Sequence, residues 1–298
     1  MTTVNPNHAE FKTQDAASYN PVAQSFDRFV TQLSAPVAAR LVALAGLAPD
    51  NHVLDVGAGT GIVALRAVAE MGPSGRVVGI DLSDGMLEVA RQNARGRGLA
   101  DRVEFRKMDA ESLDCKDGSF DAVVSLFALR HFPHPETALQ EMHRVLRPGG
   151  RLVLAVASGA PWLSLVGLVH RPKLLPHVGR RFQGKQLVAC KFLDGMVAAY
   201  VPSSGKSEEA GWTHEHTHMQ QSVPAFIRAA GFQNIRSEWQ GQQSIVNTPE
   251  EFWELQTTFS SLSRKRLATV SSEVVARVRQ DFMNTCREVL SRGGELVY

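Results

Sequence analysis

Apolar residues in the first half of the chain switch repeatedly between a helical and an extended period. Val37, Leu41, Val42 and Leu44 recur at helical spacing after Ser34, and Gly46 stops that run. His52-Val-Leu-Asp-Val56 is a short β-rich stretch, followed by a glycine loop from 57 to 61 and a helical pattern from Ile62 to Met71. The unit then repeats. Arg76 to Ile80 predicts a strand, and Ser83 caps a helix to about Arg95 with Met86, Leu87 and Ala90 on one face. Val103 to Arg106 predicts a third strand. Phe120 to Ser125 is apolar enough for a strand buried on both faces. Glu136 to Leu146 reads as a helix closed by Pro148-Gly149-Gly150, and Arg151 to Val156 supplies a fifth strand. Such alternation predicts an α/β fold, a mostly parallel sheet covered by helices on both sides.

After Ala157 the alternation stops. Residues 158 to about 220 mix glycine, proline, aromatic and basic residues and read as an insertion. Ser222 to Ala230 predicts a helix ended by Gly231, and Gln233 to Trp239 a returning strand. Thr248-Pro-Glu-Glu is a helix start, and the chain beyond it reads as helical to Arg292 with a break near Ser260 to Ser263. The expected organisation is one domain over 1–247, with its core at 46–157 and a cap insertion at 158–220. A helical extension at 248–298 follows, packed on the core or on a second copy of the chain as a homo-oligomer.

Composition narrows the setting. Of 298 residues, 44% are hydrophobic and 21% charged, the balance of a globular protein. Lys and Arg number 32 against 30 Asp and Glu, a net charge of +2, which argues against binding nucleic acid through bulk charge. Cys115, Cys190 and Cys286 form no CxxC pair, so neither a disulfide framework nor a cysteine zinc site is expected, and a reducing cytoplasm suits the chain. The start lacks a basic segment followed by an apolar one. The longest apolar stretch, Pro161 to Val169, falls short of the roughly 20 residues a spanning helix requires.

Chemistry concentrates in Asp55-Val-Gly57-Ala58-Gly59-Thr-Gly61, between a predicted strand and a predicted helix. Glycines there let backbone N–H groups approach a ligand at a helix N-terminus. Asp81 follows Gly61 by 20 residues, at the end of the next strand, where a carboxylate can hold both hydroxyls of a ribose. A dinucleotide fingerprint reads GxGxxG; this loop reads GxGxG with an acid two residues before it.

That arrangement resembles motif I of class I S-adenosylmethionine-dependent methyltransferases, and the resemblance extends over about 46 to 157. Gly79-Ile-Asp81-Leu82-Ser83 with Met86-Leu-Glu-Val-Ala-Arg91 is similar to the ribose-binding strand and its helix. Lys107-Met-Asp109-Ala110-Glu111 resembles the loop that reads adenine, and Ser119-Phe-Asp-Ala-Val-Val-Ser125-Leu126 resembles motif IV. Glu141 to Leu154 resembles the helix, turn and strand after it. The nearest group is the ubiquinone/menaquinone-biosynthesis-like one. The resemblance implies a seven-stranded sheet with its last strand antiparallel, and S-adenosyl-L-methionine as cofactor. It places Gly57, Ala58, Gly59 and Gly61 around the methionyl part with Asp55 supporting it, and Asp81 on the ribose. Leu82 and Met86 would flank adenine, Asp109 and Ala110 would read its edge, and Ser125 and Leu126 would lie near the methyl. Tyr19 and Phe26 are lid candidates, although Phe26 and Phe29 also read as plain helix core. The implied reaction is methylation of a small, hydrophobic or aromatic acceptor at carbon or oxygen. A dinucleotide oxidoreductase and a cofactor-binding scaffold without transfer activity are the rival readings.

His131, which follows the motif IV-like strand, is a residue type suited to proton transfer near neutrality, and Arg130 beside it could steer an acidic acceptor; each also reads as an ordinary turn residue. His214, His216 and His218 alternate, so in an extended stretch three imidazoles would share one face and could hold zinc, contact substrate or do neither. Methyl transfer from a sulfonium calls for no metal, and none is expected. In the cap, Trp162, Leu163, Leu165, Val166 and Leu168 stand near Arg171, Lys173, Arg180 and Arg181, a mixture that suits core packing, a hydrophobic acidic acceptor or a membrane surface.

Overall fold

The computed structural model describes residues 6–157, 186–189, 191–201, 223–240 and 244–298. It divides into two compact units, Met1–Ala157 with Trp212–Ser237, and Ser158–Gly211 with Glu238–Tyr298.

In the first unit, α1 (Pro6–Tyr19), a single 3-10 turn (Asn20–Val22) and α2 (Ala23–Ala45) precede the sheet. Then come β1 (His52–Val56), α3 (Ile62–Glu70), β2 (Arg76–Asp81), α4 (Asp84–Gly96), β3 (Val103–Lys107), β4 (Phe120–Leu126), α5 (Pro135–Val145) and β5 (Leu146–Ala155). The five strands lie in the order β3-β2-β1-β4-β5, and every pairing is parallel. This is the Rossmann-like α/β architecture that the alternation predicts. The chain order reverses beside β1, so the carboxyl ends of β1, β2 and β4 flank the crevice where such sheets bind ligands.

The two-residue period of the strands divides the core. Val53, Val77, Val103, Phe105, Ala122 and Val124 face α2, α3 and α4, burying Leu41, Ala64, Leu65, Leu87 and Ala90. Their neighbours Leu54, Val56, Val78, Ile80 and Val123 face α5 and the helical stretch 223–229, burying Leu139, Met142, Val145 and Val223. Each α-helix begins where local chemistry permits. The Ser83 hydroxyl accepts from Met86 N–H at the start of α4, and Pro135 opens α5.

The sheet departs from the sequence reading in three places. Five strands form it among the described residues, against the seven implied. Residues 233–239, expected to return as a strand, form none among the described residues; Gly231 (φ 101°) and Asn234 (φ 53°) turn the backbone there. β5 starts at Leu146, which pairs with Phe120, and the register shifts across Pro148-Gly149-Gly150 before Arg151 pairs with Ala122. The helix expected from Ser34 reaches back to Ala23, and α1 had no hydrophobic period to announce it.

The second unit holds a small sheet in which Glu295–Val297 lies between Gln186–Val188, parallel to it, and Ile245–Val246, antiparallel. The expected boundary at 247/248 therefore runs between strands that pair. Helices Lys191–Tyr200, Pro249–Phe259, Ser261–Leu267 and Ser272–Ser291 surround an aromatic core. Phe282 is fully buried, with Phe192, Trp253 and Phe252 at ring-centroid distances of 5.0, 5.1 and 5.8 Å. The expected helix break falls at Ser260, whose hydroxyl accepts from Ser263 N–H and donates to Asp194. Among the described residues, no helix is long and apolar enough to cross a membrane. His214, His216, His218, Cys190 and most of the cap lie outside the described residues.

Phe282→Ala should cost about 3–5 kcal/mol of stability by opening a cavity amid three rings. Denaturant unfolding followed by tryptophan fluorescence, with Trp253 against the lost ring, measures it.

Candidate active site

The site grows from the turn between β1 and α3. Gly57 has φ 70°, and a Cβ there would stand 2.2 Å from the Ala128 methyl, so both backbone and space demand glycine. Gly59 (φ 54°) differs, because a Cβ there would meet only the Phe26 ring, at 3.6 Å. Ala58 N–H donates to Ile80 C=O at 2.8 Å and ties the loop to β2, while Gly61 caps α3.

Two carboxylates hold this turn. Asp55, 1% exposed, accepts from Ala64 N–H at 2.9 Å through Oδ2, and its Oδ1 has no partner among the described residues. Thr60 Oγ1 is likewise buried and unpartnered. Burial pushes the Asp55 carboxyl up to about 7, opposed by the Ala64 hydrogen bond and aided by the negative charge of Asp81. At the end of β2, Asp81 accepts from Gly59 N–H through Oδ2 and from Ser83 N–H through Oδ1, each at 2.9 Å. Burial raises its pKa too, while those backbone donors and the nearby His131 pull it down.

The N-terminal helix completes the surroundings. Lys12, Asp15 and Tyr19 recur at helical spacing and therefore share one face of α1. Lys12 Nζ donates to Asp109 Oδ2 at 2.5 Å and to Glu111 Oε2 at 2.9 Å. Burial works against the Lys12 ammonium, yet these two hydrogen bonds carry its pKa above the ordinary value. Asp15, 5% exposed, meets His131 Nδ1 at 2.9 Å. Tyr19 stands edge-on to His131 at 5.8 Å and to Phe26 at 6.0 Å. Asn20 Oδ1 then accepts from Ser83 Oγ at 2.8 Å and from Gly85 N–H at 2.9 Å, clasping the end of α1 to the start of α4.

These contacts link Asp55, Gly57, Ala58, Gly59, Gly61, Asp81, Asp109, His131, Tyr19 and Phe26 into one neighbourhood. Met86, in the first turn of α4, and Ala110, on the loop after β3, are buried, and Leu82, on the loop after β2, is half-buried. Phe26 packs with Ala23, Met86 and Val89, so it is helix core and neighbour of the glycine loop at once. Ser125 donates its hydroxyl to Val56 C=O at 2.8 Å, which makes it a brace between β4 and β1; Leu126 follows it, half-buried. Arg130 is exposed. Asp109 is already engaged, by Lys12 through Oδ2 and by Glu111 N–H through Oδ1. No group of three metal-ligating side chains occurs among the described residues.

Sequence reasoning missed Lys12, Asp15 and Asn20. Their only signal was the polar spacing 12, 15, 19, which a hydrophobic period does not reveal. It also missed Phe127, whose φ of 60° ends β4 in a conformation costly for a bulky side chain.

The Asp55 carboxyl makes stability depend on pH. Below about pH 4 the group is protonated folded and unfolded alike; between about 4 and 7 only the unfolded chain releases the proton, so stability falls as pH rises, then levels off. Asp55→Asn abolishes that fall. Relative to the parent, the variant should gain on the order of 4 kcal/mol across the window, measured by urea unfolding at several pH values.

Comparison with known proteins agrees with this geometry. A family model described as a methyltransferase domain matches residues 54–154. The ubiquinone/menaquinone biosynthesis C-methyltransferase UbiE of Ectopseudomonas mendocina is 40% identical over 141 residues, 47% of this chain and 55% of that one. The UbiE of Methylobacterium nodulans is 36% identical over 167 residues, 55% of this chain and 66% of its own. The chain thus spans about half to two thirds of the length of these relatives. Among solved structures, the YcgJ protein from Bacillus subtilis is similar at 22% identity, covering 80% of this chain and 85% of that one, with a TM-score of 0.46. Residues 54–154 are thus a methyltransferase domain, similar in sequence to that of the ubiquinone/menaquinone biosynthesis C-methyltransferases.

Proposed function

We propose that the protein binds S-adenosylmethionine and methylates a small hydrophobic or aromatic acceptor, at carbon or oxygen. The observation that carries this reading is the pair of acids, buried Asp55 and half-buried Asp81, on either side of a glycine turn. A pyrophosphate placed there would bring negative charge onto two carboxylates. A ligand with an ammonium and a sulfonium brings positive charge, and the unpartnered Asp55 Oδ1 and Thr60 Oγ1 leave polar capacity at the same turn. The residues therefore fit S-adenosylmethionine better than a dinucleotide.

In this assignment Gly57, Ala58, Gly59 and Gly61 hold the methionyl portion, with Asp55 behind them. Asp81 receives the ribose hydroxyls on lone pairs its two backbone donors leave over. Leu82, Met86 and Ala110 enclose adenine, and Asp109 reads its amino edge in competition with Lys12. When bound, the cofactor supplies a methyl group activated by a sulfonium. The protein's share is to align an acceptor within about 3–3.5 Å and to exclude water, for which Tyr19 and Phe26 above Gly59 are placed. His131 takes the proton of an acceptor that carries one. Acceptor choice is assigned to the cap, about 158–220, and to the helical extension, 248–298, both outside the family match. The names of the relatives favour carbon as the site of methylation. The near-neutral charge supports a small molecule over a nucleic acid, and unpaired Cys115 and Cys286 suit a cytoplasmic setting.

Titration calorimetry with S-adenosylmethionine, S-adenosylhomocysteine and NAD tests the reading: micromolar binding of the first two without NAD is expected, and NAD binding alone would overturn it. Asp81→Asn should weaken the first two at least about tenfold, roughly 1.4 kcal/mol, while the unfolding midpoint moves little. Unchanged affinity would remove the ribose assignment.

A further inference from the structure

We infer that Asp15 is a positioning residue that forms, with His131, a carboxylate–imidazole pair set for proton abstraction, so that α1 supplies half of the catalytic apparatus. The inference rests on the methyltransferase reading and deepens it.

Asp15 lies in the middle of a helix with exposed Thr13 and Gln14 before it and exposed Ala17 after it, yet it is 5% exposed. A carboxylate at that depth requires a donor, and Nδ1 of His131 stands 2.9 Å from its Oδ2. The two residues come from distant parts of the chain. Asp15 arrives on α1, and His131 sits on the 3-10 turn Leu129–His131 that follows β4. The placement is braced on both sides, by Lys12 on Asp109 and Glu111 one turn earlier and by Asn20 on Ser83 and Gly85 just beyond the helix. Tyr19, edge-on to the imidazole at 5.8 Å, restricts its rotation.

A carboxylate on Nδ1 fixes which nitrogen carries the proton. The neutral ring must hold it on Nδ1, where it is donated to Asp15, and this leaves the lone pair on Nε2. The ring makes no other hydrogen bond among the described residues. Its side chain is 35% exposed, so an acceptor can reach it, while its partner is only 7% exposed. The charged groups acting on it are Asp15 from α1 and Asp81 at the end of β2.

The chemistry balances with a sulfonium methyl donor. The bond between the acceptor atom and its hydrogen breaks toward Nε2, and the electron pair left on the acceptor forms the new bond to carbon. The carbon–sulfur bond breaks with its pair staying on sulfur, which becomes a neutral thioether. The positive charge passes to the imidazolium, which the Asp15 carboxylate stabilises until Nε2 returns the proton to water. A carboxylate oriented in this way stabilises the imidazolium without accepting the proton itself.

The test reads the tautomer directly and needs no acceptor. Full-length protein labelled with nitrogen-15 in histidine, with the His131 signals assigned by their loss in His131→Gln, is examined by long-range proton–nitrogen correlation at about pH 8, where an ordinary imidazole is neutral. The expected result is a neutral ring protonated on Nδ1 and bare on Nε2. In Asp15→Asn that pattern should shift toward Nε2 protonation, while S-adenosylmethionine affinity stays within about threefold. A ring protonated on Nε2 in the parent, a ring still doubly protonated at this pH, or a pattern unmoved by Asp15→Asn would overturn the inference and leave the pair as a tether for α1. Should Asp15→Asn fail to fold, the parent spectrum alone decides. Failure of the parent to bind S-adenosylmethionine by calorimetry would instead remove the methyltransferase reading, whatever the tautomer.

Discussion

Much of the first unit is organised by two carboxylates, buried Asp55 and half-buried Asp81, held against backbone N–H groups at one turn. Asp55 holds the first turn of α3 and Asp81 holds Gly59, so the loop joining β1 to α3 is pinned from both adjacent strands. Neither acid lies comfortably: burial raises both pKa values, and the negative charge of Asp81 makes Asp55 harder still to ionise. Carboxylates held in this way are electrostatically strained, a strain that a cationic ligand would relieve. Stability surrendered by the protein alone is recovered as affinity, the usual relation between a preorganised site and its ligand.

The parallel core was legible because burial on both faces leaves a strong trace. Val53 to Val56, Val77 to Ile80 and Ala122 to Val124 are near-continuous apolar runs, each bounded by glycine, proline or acid, and all three became central strands. The rest was harder for identifiable reasons. Residues 233–239 have strand-like composition, but the backbone turns at Gly231 and Asn234, and composition does not encode those turns. Helix α1 mixes polar and small residues, so its place depends on two side chains, Lys12 and Asp15, finding partners nearly a hundred or more residues away.

The site divides along the same line. Residues given by local motif, Gly57, Gly59, Gly61, Asp55 and Asp81, converge because strand, turn and helix fix them together. Ser125 was named by the motif too, but its hydroxyl is used on Val56 C=O and its contribution is to spacing. His131 was visible as a residue type beside a strand end; its partner was not, since nothing within the sequence near Asp15 distinguishes it from a surface acid. Asp109 was visible as an acceptor, whereas the lysine already on it was not. Long-range polar pairs of this kind leave no periodic trace.

The small sheet of the second unit sets an order of events during synthesis. Its middle strand, Glu295–Val297, pairs with Gln186–Val188 across 109 residues, and the Gln186 and Glu295 side chains meet at 2.8 Å. All five strands of the first sheet leave the ribosome long before this pairing can form, so that sheet can assemble while the second unit has no central strand. Gln186–Val188 and Ile245–Val246 meanwhile present open edges. The second unit is thus the slower and more aggregation-exposed part of the newborn chain, and chaperones would have most to do there.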